Sequence, residues 1–176
     1  MAVKFNYCDK KAAQAVHYLL HKAGCSVDKL KLIKLIFYSD LWHIEQYGRP
    51  VVGGSYFAMQ HVPVSSELLN DINGTRENVH RSFELSGNSV SISEECADDA
   101  LSETDKEMLD RVFDTLGKKD AFSLRDLTHK LECYKKNEPS GRGRKAIPYE
   151  DFFLDLPDKR MLDTIKEREE VDSLFG

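Results

Sequence analysis

Four cysteines in 176 residues lie far apart, at Cys8, Cys25, Cys96 and Cys133, and form no CxxC or CxxxC pair. That spacing gives neither a zinc-knuckle ligand set nor a disulfide framework. No apolar run approaches the ~20 residues that span a bilayer. The opening MAVKFNYCDKK lacks the apolar stretch of a secretory signal. These absences predict a cytoplasmic protein with reduced thiols and no membrane association. A basic surplus is also missing. Lys and Arg number 25 against 30 Asp and Glu, for a net charge of −5, which argues against a dedicated nucleic-acid binder. No GxGxxG, GxxxxGK[ST] or HExxH pattern occurs, so no dinucleotide fold, phosphate loop or zinc-protease helix is indicated. No cofactor and no metal are expected.

What is present is one strongly apolar helix. Residues 27–48, VDKLKLIKLIFYSDLWHIEQYG, are apolar over most of a helical circumference. A helix of that kind must be buried on several sides, and it predicts the centre of the fold. At about 100° per residue, Leu30, Ile33, Phe37, Leu41 and Ile44 share a face. Leu32, Leu35 and Ile36 widen it. Lys31, Lys34 and Glu45 fall on the remaining polar stripe, with Tyr38 and Trp42, the only tryptophan, among them. Either another segment covers these two rings or they are offered to a partner.

Around this helix the punctuation predicts a mainly α, compact single-domain bundle with a small β-hairpin packed on it. Asp9 is placed to cap a first helix running to about Ala23, and Gly24 ends it. Ser26 is placed to cap the central helix, which stops at Gly48 before Pro50. SYFAMQHV, after Gly53-Gly54, is extended and aromatic, and Pro63 argues against a strand centre there. Ser65 or Ser66 starts a short helix. SFELSGNSVSIS (82–93) alternates apolar and polar residues around a turn, the clearest hairpin signal. Ser102 with Asp105 forms a capping arrangement for a helix over 103–116. Ser123 is placed to cap another helix through about Leu131. KKNEPSGRGRKAI (135–147) reads as a flexible basic loop. Pro148 starts a short helical turn, and Asp158 caps a last, charged helix to about Val171. One domain over residues 1–176 is expected, with 155–176 as a charged C-terminal helix.

Few residues suggest chemistry. His17 and His21 lie four apart on the first helix and could share a metal, but no third ligand is evident, which favours solvated histidines. His43 flanks the central helix and reads as a hydrogen-bonded core histidine. The Gly141–Lys145 run could touch phosphate by charge alone, without an aromatic platform for bases. Tyr38, Trp42, Tyr56, Phe57, His61 and Pro63 are the better lead. Tyr and Trp are favoured interface anchors, and these residues occupy the central helix and the extended segment after it. They are the candidate partner-binding residues, and no catalytic residue is assigned.

KLKLIKLIFYSDLWHIEQYGRP (29–50) resembles the K-L-x-K-L-hydrophobic-Y-x-x-x-x-H-x-x-x-x-G-x-P signature of the SocA-like antitoxin family, or Panacea domain. Leu32, Lys34, Leu35, Tyr38, His43, Gly48 and Pro50 fall on it, with Trp42 a common neighbour. YFAMQHVPVSSEL (56–68) is similar to a family segment ending in Gly-Pro-Val, here Val62-Pro63-Val64. Residues 101–134 resemble the family's late helices, with Leu127, Thr128 and His129 matching and Tyr134 near the usual tryptophan. The likeness covers about residues 12–154. It implies a non-enzymatic antitoxin that neutralises a cognate toxin by direct binding. Two alternatives stand beside that reading: an adaptor delivering a toxin or client to an ATP-dependent protease, as the resemblance also implies, or a phage or mobile-element protein of this fold that binds a host factor.

Overall fold

The structure is a computed structural model that describes residues 2–60, 62–77 and 81–175. In chain order its elements are α1 (Asp9–Lys22), β1 (Ser26–Asp28), α2 (Lys29–Tyr47), β2 (Tyr56–Met59), β3 (Val62–Ser65), α3 (Ser66–Asn73), β4 (Phe83–Ser86) and β5 (Ser89–Ile92). They continue as α4 (Glu103–Leu116), α5 (Ala121–His129), α6 (Glu132–Lys136), β6 (Lys145–Ala146), α7 (Tyr149–Phe152) and α8 (Arg160–Phe175). The architecture is mainly helical, with two small antiparallel sheets of order β1-β5-β4 and β3-β2-β6.

α2 is the axis. It touches α1, α4, α5, α8, β1, β3 and β5. Leu32, Ile33, Leu35, Ile36, Phe37, Leu41 and Ile44 on it are sealed from solvent. Phe37 lies edge-on to Tyr38, Tyr56 and Phe152, at centroid separations of 5.5, 5.8 and 5.5 Å. T-shaped aromatic pairs of this kind add to the stabilisation from area burial alone. Gly48 ends the helix in the left-handed region (φ 71°), which glycine adopts without a Cβ clash.

Several boundaries differ from those expected. Ser26 does not cap α2. Its backbone pairs with Ser91 in β1, and Asp28 caps the helix instead, accepting the Lys31 amide at 3.1 Å. Asp9 does not cap α1 but lies in its first turn, where its charge suits the helix dipole and pairs with Arg76 at 2.7 Å. α5 starts earlier than Ser123 predicts, because Asp120 accepts the Ser123 amide at 2.7 Å. The capping box at Ser102 and Asp105 is present as expected.

The extended segment after Gly54 is a second sheet, which the single expected hairpin did not include. Pro63 sits inside strand β3, opposite Ala58. β3 is an edge strand, where a residue without an N–H leaves no ladder bond unmade. The basic loop also ends in order, since Lys145 and Ala146 pair with Ala58 and Phe57. α8 starts at Arg160, whose amide donates to Asp158 at 2.9 Å, and places Met161 and Ile165 beside Gly48.

Candidate functional site

The structure places the six candidate residues at different depths. Tyr38, Tyr56 and Pro63 are buried. Burial pushes the Tyr38 phenol well above its ordinary value, and Cys133 and Asp155 nearby add to the effect. His61 lies outside the described residues. Trp42 and Phe57 are half-buried and reachable. The Trp42 ring lies 5.7 Å from Tyr38 and carries the Arg111 guanidinium at 5.2 Å. Phe57, on the outer face of β2, carries the Arg144 guanidinium at 4.6 Å. Both distances suit cation–π contact.

The central helix also carries a residue that periodicity did not single out. Asp40 is fully buried on α2. One carboxylate oxygen accepts the Val52 amide at 2.7 Å; the other accepts the Gly53 amide at 2.9 Å and the Tyr56 hydroxyl at 2.9 Å. Burial raises its pKa to about 6 against the pull of these hydrogen bonds. Asp40 thereby anchors the turn after Pro50 and the start of β2 on the central helix. The signal that could have found it is the Gly53-Gly54 pair thirteen and fourteen residues on. Their positive φ angles turn backbone amides inward, and amides turned inward need an acceptor.

A second network joins three helices. His43 is fully buried, as expected of a core histidine. Its Nδ1–H donates to the Arg49 carbonyl at 2.7 Å, which leaves Nε2 to accept from the Thr104 hydroxyl at 3.1 Å. Burial holds its pKa below the ordinary value. Asp105 accepts from Lys11 at 2.8 Å, Arg49 at 2.9 Å and the Ser102 amide at 2.9 Å. Burial would push this carboxyl up, but those hydrogen bonds and charges hold it below its usual range. The network clamps α4 to α1 and α2. Every group in it is spent on that task.

A cleft of about 490 Å³ opens between residues 2–7, the start of β2 and the approach to α7. Its Glu67 is engaged by the Ser55 amide and hydroxyl at 2.9 and 3.0 Å, and the Tyr149 hydroxyl donates to the Gly54 carbonyl at 2.7 Å. His17 is buried on α1, not solvated as expected, whereas His21 is exposed. The difference arises because α4 and β5 pack on α1. Among the described residues no three His, Cys, Asp or Glu side chains are grouped to hold a metal ion. No described helix is long and apolar enough to cross a membrane.

No curated protein and no solved structure matches the chain. A family model described as antitoxin SocA-like, Panacea domain, matches residues 32–135. That segment runs from the first turns of α2 to α6, and it contains Asp40, Trp42, His43, Phe57 and Asp105. The match covers more than half of the sequence, and the chain belongs to the SocA-like, Panacea-domain antitoxin family.

Proposed function

We propose that this protein is a non-enzymatic, cytoplasmic antitoxin acting as one domain, which neutralises a cognate toxin by binding it directly. Trp42 and Phe57 anchor the contact. Tyr38 packs against the Trp42 ring, Tyr56 and Pro63 belong to the buried sheet that carries Phe57, and His61 lies on the same chain segment. The observation that carries this reading, within a family of antitoxins, is the pair of reachable aromatics that each lie under an arginine. Tryptophan and arginine are the residue types most enriched among residues that dominate binding energy. The four cysteines are free thiols.

The test is co-expression with the product of the adjacent gene. The wild-type chain should co-purify with it in fixed stoichiometry and rescue growth. Trp42→Ala should weaken the complex by about tenfold or more while the variant remains folded. A neighbour that is harmless alone and does not co-purify would overturn the proposal. Delivery to an ATP-dependent protease predicts a longer toxin half-life in protease-deficient cells. Unchanged half-life with intact rescue supports direct neutralisation.

A further inference from the structure

Lys34 is fully buried on α2, and its Nζ has no hydrogen-bond partner. Among the described residues it is the one lysine or arginine whose charged nitrogen is sealed off in that way. Leaving a charge buried and unpaired opposes folding, so such a group calls for an explanation. Burial lowers the pKa of its ammonium to about 8, with Asp28 opposing and Arg125 adding to the effect. The group is still cationic at neutral pH.

Lys34 is one of the residues around a cavity of about 350 Å³. Asp28 and Leu30, at the start of α2, form one wall, and Ala121, Phe122 and Arg125, in the first turns of α5, form the other. Two helix N-termini therefore meet there, and their dipoles add to the positive potential. The single carboxylate in the lining, Asp28, is occupied as the cap of α2, accepting the Lys31 amide. Arg125 leans over the Phe122 ring at 5.4 Å and pairs outward with Asp126 at 3.1 Å. The rim is apolar and wet: Phe122 is 71% exposed and Leu30 37% exposed.

An occupant that satisfies this site brings a negative charge to Lys34 and an apolar group to the rim. A bare inorganic anion does the first and leaves Leu30 and Phe122 in water. A protein segment with an acidic residue beside a leucine or an aromatic does both. We infer that the cavity between α2 and α5 is a docking site for an acidic side chain of a protein partner, its carboxylate pairing with Lys34 and its apolar neighbour covering Leu30 and Phe122. Identifying that partner with the toxin rests on the antitoxin reading; the site itself does not.

The test is a nitrogen-edited NMR titration of the full chain with the capped peptide Gly-Leu-Glu-Phe-Gly, its Gln counterpart, and inorganic phosphate. The Glu peptide should shift the Leu30, Lys34, Ala121 and Arg125 amides to saturation, and the Gln peptide should bind about tenfold more weakly. Lys34→Met should lose this binding yet melt about 3–6 °C higher than wild type, because an unpaired buried charge is removed. Phe122→Ser, at an exposed position, should leave melting unchanged and weaken the peptide about threefold or more. Saturation by phosphate without the peptide would reassign the site to a small anion and overturn the proposal. So would the absence of any saturating shift, or a lower melting temperature for Lys34→Met, which would make Lys34 a structural residue. The peptide arm needs no toxin, so its failure and a failure of growth rescue are separate results.

Discussion

Asp40 and Lys34 lie six residues apart on the same helix, both sealed from solvent, and their surroundings are opposite. Asp40 accepts three hydrogen bonds from a turn and a tyrosine that fold over it. Lys34 borders a cavity, and its Nζ has no hydrogen-bond partner. A buried charge whose neighbours are all arranged around it is part of the architecture. A buried charge left without them is a standing cost, and folds retain such costs mainly where something binds. The matched segment of the family holds both residues, so within two turns one helix carries a carboxylate satisfied on every side and an unpaired ammonium.

The largest expected effect tests the anchor. Asp40→Asn puts an amide NH₂ against a backbone N–H and strands a buried donor, so unfolding free energy should fall by about 2–4 kcal/mol in chemical denaturation. A loss below about 1 kcal/mol would put Asp40 in the same class as Lys34 and dissolve the contrast. Next comes the unpaired ammonium. At pH 7, Lys34→Met should gain about 1–3 kcal/mol, since the folded-state value near 8 lies below the unfolded value of 10.5. The charged form opposes folding fully below pH 8, and that opposition is relieved as pH rises from about 8 toward 10.5. The stability gap between the variant and wild type should therefore shrink over that window, and a gap that stays constant would mean the ammonium is not the cause. Smallest is Leu30→Ser. Its side chain sits at the wet rim, and stability should change by less than about 0.5 kcal/mol. A larger loss would place Leu30 in the core after all.

These two residues also mark how far periodicity carries. The central helix, its stop at Gly48 and the capping box at Ser102 follow from spacing and side-chain chemistry acting over one or two turns. Leu30 belongs to the apolar face by angle, but the first turn of α2 projects beyond the core, so it ends up exposed. Lys34 falls on the polar stripe by angle, and α5 comes down over that stripe and buries it. A helical wheel contains neither fact, because both depend on where another element lands. Ser26 and Ser123 are sound caps on local grounds and lose to Asp28 and Asp120 through strand pairing and an earlier helix start. Of the aromatic set, Trp42 and Phe57 remain reachable while Tyr38 and Tyr56 are covered. Tyr56 is held inward by Asp40, a partnership that no spacing rule announces.

The junction of β1 and α2 has a consequence for how the molecule opens. Asp28 is at once the last residue of a strand, paired with Ser89, and the cap of the central helix. The next amide, Lys29, donates to the Asn88 carbonyl in the hairpin turn at 2.7 Å. The first turn of a helix ordinarily frays freely, since its amides have no partner within the helix. Here that turn is tied to a sheet more than fifty residues away in sequence, so it cannot loosen without unzipping the strand as well. The amides of Lys29 and Lys31 therefore exchange with solvent together with the hairpin, as one cooperative unit rather than as a frayed end.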